Sequence, residues 1–384
     1  MNKFSNLSLF LLFQLFYFNS SAQNRLKVAV FAPIYLDSAF NGDDYKLGVN
    51  NLPKYMLAGQ DFYNGVMMAV DSLQAAGRNL EILFYDSRGK ESLNSIVRKP
   101  EFEGVNLIIA AFNNRQDVKL LADVAQQNKI PLISSTYPND GGVTNNPYLV
   151  MINTSIKTHV EHIYKYLQKN ITTNNLIYVK RNGQLEDLIQ YYFTEAEKAN
   201  PYPALKYKTI EFTDNPTVQF IAGSLDSNLV NTVICGSLNE TFGVKLVKAL
   251  AANKSYDCTA IGMPTWDGLK DLDNYDCHGV NLVFSTPYNF VRSQPTAVKI
   301  CAAYKSEFYG RASDMFFKGY ESMFHFSSLL LEHPDDIMQH LSDKDYKVFN
   351  DFIIEGYKPS ADAPVQYLEN KKIYFIKKLN GSYK

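Results

Sequence analysis

Hydroxyl and aromatic side chains that directly follow apolar segments are the residues of this chain best suited to hold a small molecule. Ser134, Ser135 and Thr136 follow an apolar run at residues 130–133, and their hydroxyls can hydrogen-bond to a neutral or anionic group. Trp266 is the single tryptophan and offers a flat face for a ring or a sugar. The alternatives are a strand-ending turn at Ser134 and simple packing at Trp266. The pattern favours a small polar or ring-bearing ligand bound without covalent chemistry.

Other polar residues could also reach a ligand. Arg181 follows an apolar run and could pair with an anion through two hydrogen bonds, although a solvated loop arginine gives the same pattern. Asn113 and Asn114 could contact a ligand, but asparagine is also a common N-cap of a helix. Each of these residues therefore has a structural interpretation beside the functional one.

The sequence lacks the short motifs of common catalytic sites. No G-x-G, G-x-x-x-x-G-K, G-x-S-x-G, H-E-x-x-H or C-x-x-C pattern occurs, so we predict neither an enzyme nor a cofactor. His159 and His162 lie three residues apart without an evident third ligand, which argues against a metal site. The formal net charge of −1 provides no electrostatic attraction to nucleic acid.

Strands and helices alternate along the chain and would position these residues. The apolar run at residues 28–32 predicts a strand buried on both faces, which Pro33 ends. The helix that follows would bury one stripe of apolar residues, namely Phe62, Val66, Ala69 and Leu73. A strand at residues 80–86 completes a right-handed crossover unit, and such sheets bind ligands at the carboxyl ends of their strands. Residues 34–58 are therefore predicted to form a loop beside a ligand.

Two strand–helix series follow one another, and the chain then returns through two further helices. We therefore predict an α/β fold with two lobes, each a parallel sheet flanked by helices. The N-terminal lobe would contain residues 24–153 and 288–359. The C-terminal lobe would contain residues 154–287 and 360–384.

The first residues have the composition of an export signal. Lys3 precedes an apolar run at residues 7–18, and small residues at 20–22 offer a cleavage site. The run is too short to span a bilayer comfortably, and no cysteine follows it to carry a lipid. We predict a signal peptide at residues 1–22 and a periplasmic protein that is neither lipidated nor inserted into the membrane.

The four cysteines are too few for a disulfide scaffold in a chain of 384 residues. Cys258 begins one predicted strand and Cys277 precedes the next, so parallel neighbouring strands could bring the two Cα atoms within the ~7 Å that a disulfide requires. Cys235 and Cys301 lie in apolar segments and are predicted to be free thiols. The sequence thus predicts one disulfide, Cys258–Cys277, in an oxidising compartment.

In their order and spacing these segments resemble a type I periplasmic binding protein, the leucine/isoleucine/valine-binding family, in the Bacteroidetes-type branch that is sometimes fused to LysM domains. The motifs that carry the resemblance are Phe62-Tyr63-Asn64-Gly65, Tyr85-Asp86, Ile130-Pro131-Leu132-Ile133-Ser134, Asn146-Pro147-Tyr148, Gly262-Met263-Pro264-Thr265-Trp266, Phe308-Tyr309 and Gly319-Tyr320-Glu321. The resemblance implies a ligand between two lobes that close by a hinge motion. It places three hinge crossings near residues 153–155, 285–289 and 359–364.

The resemblance also implies a set of ligand-binding residues. Those of the first lobe are Tyr35, Asn113, Asn114, Ser134, Ser135 and Thr136; those of the second are Arg181, Gln184, Ser237, Thr265 and Trp266. Amino-acid-binding members usually hold the ligand ammonium with an acidic residue after a second-lobe strand. Here that segment reads Pro264-Thr265-Trp266, and Asp267 comes one step later. A saccharide, a muropeptide-like molecule or another non-amino-acid solute is therefore the expected ligand.

Three functional classes remain open at this stage. The leading one is an exported solute-binding protein that serves an ABC-type transporter or a sensor. The second is an envelope or peptidoglycan-related interaction protein that keeps the fold without tight solute binding. The third is a hydrolase of envelope material, against which the missing motifs argue.

Overall fold

The structure is a computed structural model that describes residues 25–48, 52–171 and 175–383. It contains two seven-stranded sheets, and apolar side chains are buried on both faces of each sheet. This arrangement confirms the predicted two-lobed α/β fold. The predicted signal peptide at residues 1–22 lies outside the described residues.

The strands and helices are numbered in chain order. The strands are β1 (Lys27–Ala32), β2 (Phe40–Asn41), β3 (Asp44–Tyr45), β4 (Glu81–Asp86), β5 (Val105–Ala110), β6 (Leu132–Ser134), β7 (Leu149–Met151), β8 (Asn175–Arg181), β9 (Lys208–Phe212), β10 (Asn231–Gly236), β11 (Cys258–Gly262), β12 (Asn281–Thr286), β13 (Ile354–Tyr357), β14 (Tyr367–Asn370), β15 (Tyr374–Leu379) and β16 (Ser382–Tyr383). The helices are α1 (Leu36–Ala39), α2 (Lys54–Ala75), α3 (Leu93–Ile96), α4 (Arg115–Asn128), α5 (Ile156–Asn170), α6 (Gln184–Lys198), α7 (Val218–Ala222), α8 (Glu240–Ala252), α9 (Pro295–Phe308), α10 (Asp314–Glu332) and α11 (Ile337–His340). Within the described ranges, no helix is both long and apolar enough to span a bilayer.

Both sheets place their strands in a related order. The first sheet runs β4-β1-β5-β6-β7-β14-β13, and the second runs β9-β8-β10-β11-β12-β15-β16. β1 pairs in parallel with both β4 and β5, and β8 pairs in parallel with both β9 and β10. The direction of winding therefore reverses beside β1 and beside β8. Ligands of such sheets bind at the carboxyl ends of the strands near this reversal.

The third crossing between the lobes lies later in the chain than predicted. β14 pairs in parallel with β7 of the first sheet, whereas β15 pairs antiparallel to β12 of the second sheet. The chain therefore crosses at residues 371–373, and the prediction of 359–364 is wrong. A short hairpin such as β13–β14 can extend either sheet, and only its pairing with β7 decides the lobe to which it belongs.

Helix α2 covers the first sheet with the predicted stripe, because Phe62, Val66, Ala69 and Leu73 are all buried. It begins at Lys54, so the predicted loop at residues 34–58 instead contains α1, the β2–β3 hairpin and the first turn of α2. Gly59 lets this helix pass close to the segment after β1, since a Cβ there would lie 2.0 Å from the carbonyl oxygen of Pro33.

Two glycines allow α2 and α10 to pack backbone to backbone. A Cβ on Gly65 would lie 2.0 Å from the carbonyl oxygen of Phe316, and a Cβ on Gly319 would lie 2.2 Å from that of Phe62. Both glycines belong to the motifs that carry the family resemblance. Their role in this chain is to bring two long helices of the first lobe into close contact.

The predicted Cys258–Cys277 disulfide is absent, since all four cysteines are free thiols. The thiol of Cys277 is directed towards its own turn, where Sγ lies 3.6 Å from the carbonyl oxygen of Asp271. Both thiols are buried in the apolar core of the second lobe, and burial raises the pKa of each to about 11. The positions of Cys258 and Cys277 near the ends of neighbouring strands were therefore not enough to predict whether their thiols face one another.

Candidate functional site

A cavity of about 750 Å³ lies between the two lobes, a volume within the range of small-molecule sites. The second lobe lines it with residues at or after the ends of β10, β11 and β12 and with one face of α6. The first lobe contributes the loop after β6, the first turns of α10 and the β13–β14 hairpin. Residues of the first two crossings form the remaining wall. The site therefore lies at the carboxyl ends of second-lobe strands, as expected for this sheet topology.

Opposite charges face one another in one part of this cavity. Asp267 of the second lobe accepts a hydrogen bond from the Thr286 hydroxyl at 2.8 Å. Lys318 of α10 comes from the first lobe, and its Nζ lies 4.3 Å from the centroid of the Tyr288 ring. Asp314 is paired with Arg292 at 3.0 Å. Since Asp314 already has a cationic partner, Asp267 and Lys318 are the charges that this part of the cavity offers to a ligand.

The protein around these two charges changes their proton affinity. Burial raises the pKa of the Asp267 carboxyl above its usual value, while the Thr286 hydroxyl and the Lys318 ammonium oppose that change. Burial lowers the pKa of the Lys318 ammonium, and the carboxylates of Asp267 and Asp314 oppose that change. Weakly hydrated charges of both signs therefore stand on opposite lobes, an arrangement that suits a zwitterionic ligand.

Another part of the cavity is apolar and aromatic. The rings of Tyr357 and Tyr367 are stacked with their centroids 5.0 Å apart. Leu185, Leu188 and Tyr192 of α6 line the same cavity from the second lobe. This wall can accommodate an apolar or aromatic group of a ligand.

The first and third crossings are tied together beside the cavity. The buried Glu369 carboxylate at the end of β14 accepts hydrogen bonds from the backbone N–H of Ser155 at 2.7 Å and from the Thr158 hydroxyl at 3.2 Å. Lys371 donates to Glu369 at 2.5 Å and to Thr158 at 2.8 Å. The start of α5, in the second lobe, is therefore fixed to the last strand pair of the first lobe.

The second crossing is held by a different carboxylate. Glu321 of α10 accepts the backbone N–H groups of Phe349 and Asn350 at 2.8 and 2.6 Å and the Asn350 side-chain amide at 2.6 Å. The Asn350 side chain in turn accepts the backbone N–H of Asn289 at 2.7 Å. Burial raises the pKa of Glu321 to about 7.

A serine and a histidine also lie together at the second crossing. The Nδ1 atom of His159, which lines the cavity, lies 2.9 Å from the Oγ atom of Ser285. Ser285 is fully buried, and burial lowers the pKa of His159 to about 3. A buried hydroxyl offers no access to a substrate carbonyl, so we interpret this pair as a hydrogen bond that joins α5 to β12.

Trp266 does not reach the cavity, and its interpretation as a stacking platform is wrong. Its side chain is fully buried in the core of the second lobe. A Cβ on Gly243 would lie 2.6 Å from its Nε1 atom, and a Cβ on Gly262 would lie 2.1 Å from its ring. The indole therefore fills a space that these two glycines leave free, between α8 and the end of β11. Its neighbour Thr265 does line the cavity, although the Thr265 hydroxyl oxygen is shielded from solvent and has no partner among the described residues.

The hydroxyl residues of the first lobe are turned into the protein. Ser134 and Ser135 are fully buried, and their Oγ atoms have no hydrogen-bond partner within the described part of the chain. The carbonyl of Ser135 accepts the Tyr288 hydroxyl at 2.6 Å, and the Thr136 hydroxyl donates to the carbonyl of Phe112 at 3.1 Å. None of the three lines the cavity, because this segment lies beneath Tyr288.

The structure places Tyr35, Asn113 and Asn114 together, away from the cavity lining. The Asn113 amide donates to the Tyr35 hydroxyl at 3.0 Å. Asn114 caps α4, where its side chain accepts the backbone N–H of Asp117 at 3.0 Å. The capping interpretation thus describes Asn114, whereas Tyr35 and Asn113 form a polar pair on the first lobe.

Two of the remaining second-lobe candidates, Arg181 and Ser237, belong to an internal network around Glu186. Arg181 pairs with Glu186 at 2.9 Å and with Asp214 at 3.3 Å. The fully buried Ser237 donates to the same Glu186 carboxylate at 2.6 Å. Gln184 is the exposed first residue of α6. None of these three candidates lines the cavity, and Glu186 already pairs with two of them, Arg181 and Ser237.

Sequence reasoning therefore missed several residues of the cavity. Asp267 does line it, since a short 3₁₀ turn at Pro264–Trp266 buries the tryptophan and presents the next residue to the cleft. Lys318 was recognisable as a lone cation between Phe317 and Gly319 on a helix that is otherwise largely apolar. Tyr357 and Tyr367 carry no such signal, because their position depends on the pairing of β13 and β14 within the first sheet.

No protein-family model matches this sequence, and no curated protein matches it. Solved structures match over nearly the whole chain. A Rhodospirillum rubrum protein assigned to branched-chain amino acid ABC transport has 13% identity and a TM-score of 0.68, covering 94% of this chain and 99% of that chain. A branched-chain amino acid ABC transporter periplasmic ligand-binding protein from Burkholderia xenovorans has 11% identity and a TM-score of 0.61, covering 94% of each chain. An ABC transporter substrate-binding protein from Desulfitobacterium hafniense, solved in complex with Leu, has 13% identity and a TM-score of 0.57, covering 94% and 99%.

The TM-scores establish a shared fold, and identities of 11–13% extend the likeness no further than the fold. The chain has the two-lobed fold of type I periplasmic binding proteins, as its motifs predicted.

Proposed function

We propose that this chain is an exported solute-binding protein that closes its lobes over a small ligand and presents it to an ABC-type transporter. The observation that carries the proposal is the cavity between the lobes, which bears Asp267 on one lobe and Lys318 on the other. Closure by a hinge at the three crossings would surround a ligand held between these two charges. Substrate-binding proteins of this fold, including one in complex with Leu, support the same function.

The proposed ligand is an amino acid or a similar zwitterion with an apolar or aromatic side chain. Asp267 would accept hydrogen bonds from the ligand ammonium, and Lys318 would pair with its carboxylate. The stacked rings of Tyr357 and Tyr367 would contact the side chain, together with Leu188. The preference for a non-amino-acid solute rested on the absence of an acidic residue from the second-lobe wall. Since Asp267 lines the cavity, that reason no longer holds.

The test is calorimetric titration of the purified mature protein against leucine, isoleucine, phenylalanine and tyrosine. Controls are the matching amines without a carboxylate, the N-acetylated amino acids and muropeptide or saccharide fragments. We expect binding of at least one free amino acid and much weaker binding of its amine and its N-acetyl derivative. Binding of a cell-wall fragment with no binding of any amino acid would overturn the ligand proposal, and no heat with any solute would overturn the function.

A further inference from the structure

A cluster of histidine and aspartate side chains lies at the far end of α10. His333 is the C-cap of this helix, and the chain then turns through Pro334 into the short helix α11, which ends at His340. The two imidazole rings are parallel within 2°, with their centroids 3.4 Å apart. Ile337 and Leu341 are buried in the core of the first lobe, so the turn that carries the histidines is anchored.

A carboxylate lies on each side of the paired rings. On one side, an Asp343 oxygen lies 2.7 Å from Nδ1 of His340 and 4.0 Å from Nε2 of His333. On the other side, Asp336 oxygens lie 3.4 Å from Nε2 of His340 and 3.9 Å from Nδ1 of His333. Each ring therefore has one nitrogen near Asp343 and the other near Asp336.

We propose that His333, His340 and Asp343 bind a divalent transition-metal ion, with Zn²⁺ as the best-suited probe. One ligand atom from each of the three residues lies within 4.8 Å of the other two. In a tetrahedral zinc site with bonds of about 2.0–2.2 Å, neighbouring ligand atoms are roughly 3.3–3.5 Å apart. Two imidazole nitrogens and one carboxylate oxygen would fill three positions and leave the fourth to water.

Asp336 supplies the second feature of such a site. When Nε2 of His333 and Nδ1 of His340 bind the metal, the other nitrogen of each ring carries a proton. The Asp336 carboxylate lies 3.4 Å from Nε2 of His340 and 3.9 Å from Nδ1 of His333, so a small side-chain movement would let it accept both N–H groups. A carboxylate in this position fixes the tautomer and orientation of a metal-binding histidine.

The chemistry of the ligand set selects the class of metal. Two of the three ligands are imidazole nitrogens, which suit Zn²⁺, Ni²⁺ and Cu²⁺ better than Ca²⁺ or Mg²⁺, since the latter prefer oxygen.

A ring nitrogen binds a metal through its in-plane lone pair, so the two parallel rings must tilt apart to share one ion. The His333 and His340 side chains are 28% and 27% exposed, which leaves room for that tilt. The bound ion would fix the C-terminal end of α10, the helix whose second turn carries Lys318.

The experiment is titration of Zn²⁺ into the chelator-treated full-length mature protein, followed by calorimetry and by thermal unfolding. We expect one equivalent to bind and to raise the unfolding temperature. His333→Gln and His340→Gln should each weaken Zn²⁺ binding by more than about tenfold. His278→Gln is the matched control, because His278 is a partly exposed histidine of the other lobe next to the Asp273 carbonyl, and it should leave binding unchanged.

Far-UV circular dichroism of each variant separates loss of metal binding from loss of structure. Visible absorption of the Co²⁺-loaded protein gives a second readout, since intense d–d bands report tetrahedral coordination, and both glutamine variants should lose them. The proposal is overturned if the wild-type protein binds no Zn²⁺. Equal Zn²⁺ affinity of both glutamine variants and wild type, or Ca²⁺ binding as tight as Zn²⁺ binding, would also overturn it.

Discussion

Asp267 accepts a hydrogen bond from Thr286 at 2.8 Å, and this pair joins the turn after β11 to the end of β12 on the cavity wall. The hydrogen bond orients a carboxylate that the surrounding protein partly desolvates. A carboxylate that is fixed before the ligand arrives loses little conformational freedom on binding. This residue is therefore the first to test.

Asp267→Asn should weaken binding of an amino-acid ligand by about 2–3 kcal/mol, roughly 30- to 150-fold in Kd, because the amide cannot balance the ligand ammonium. Calorimetry of the variant against the ligand identified for the wild type measures the change. Asp271→Asn is the matched control, since Asp271 is exposed in the same connection and does not line the cavity. Equal affinities of Asp267→Asn and wild type would exclude the proposed ammonium contact.

Trp266→Ala should destabilise the protein by about 3–5 kcal/mol, the usual cost of removing a fully buried large aromatic side chain. Urea unfolding followed by circular dichroism measures this, since the variant loses the only tryptophan fluorophore. The ligand affinity of the folded variant should stay within about twofold of wild type, because the indole does not line the cavity. A large loss of affinity in a variant of unchanged stability would restore Trp266 to the binding site.

Gly65→Ala should destabilise the first lobe by roughly 1–3 kcal/mol, since the added methyl group would press on the backbone of α10 and force the two helices apart. Gly223→Ala is the control, because a Cβ there would have its nearest neighbour at 3.7 Å. Chemical unfolding of both variants gives the comparison. Equal stabilities would mean that α2 and α10 separate without cost.

Glu321 should make stability fall as the pH rises from about 4.5 to 7, and the last part of this fall lies above pH 6.5. Its pKa is raised from 4.5 to about 7 in the folded protein, so its contribution is complete below pH 4.5 and is lost as the pH rises through 7. Between pH 6.5 and 8.5 we expect the free energy of unfolding to fall by about 1 kcal/mol from this group. The buried histidines His159 and His325 have lowered pKa values, and their effect on stability lies below pH 6.5.

Unfolding curves at several pH values test this expectation, with Glu321→Gln as the control. The amide does not titrate, so the variant should lose the share of the slope that Glu321 provides. Below pH 6.5 it should also be less stable than wild type, because the amide nitrogen that replaces Oε2 cannot accept the Asn350 side-chain donor. The same slope in both proteins would assign the pH dependence to other groups.

The strands and helices were largely predictable, because their signals are local. A buried strand such as β1 is a continuous apolar run, and the face of α2 repeats with helical spacing. The two-lobed fold was predictable because the strand–helix pattern occurs in two successive series, which the helices α9 and α10 follow. The third crossing was not predictable, since the choice of β14 between two sheets depends on pairing with β7, more than 200 residues earlier.

The cavity was less predictable than the fold, because a residue type does not reveal the direction of its side chain. Trp266 and Asp267 are neighbours, yet one fills the core and the other lines the cavity. The decisive features are Gly243 and Gly262, which leave space for the indole of Trp266. Gly243 lies on α8, so its contact with Trp266 is not visible as a local pattern in the sequence. Ser237 and Arg181 were similarly assigned to a ligand, although Glu186 already satisfies both.

The pairing of β14 with β7 has a consequence for how the chain is made. The first lobe includes segments on both sides of β8–β12 in the sequence, so its sheet and its α2–α10 contact are completed only after those five strands of the second lobe have been synthesised. Until then Phe62 and its neighbours on α2 lack their cover from α10. Emerging chains must therefore be kept from aggregating through this exposed apolar helix, because α10 is synthesised only after β8–β12 of the second lobe. Neither lobe is complete until the last residues of the chain follow, since β14 completes the pairing with β7 and β15 then joins the second sheet.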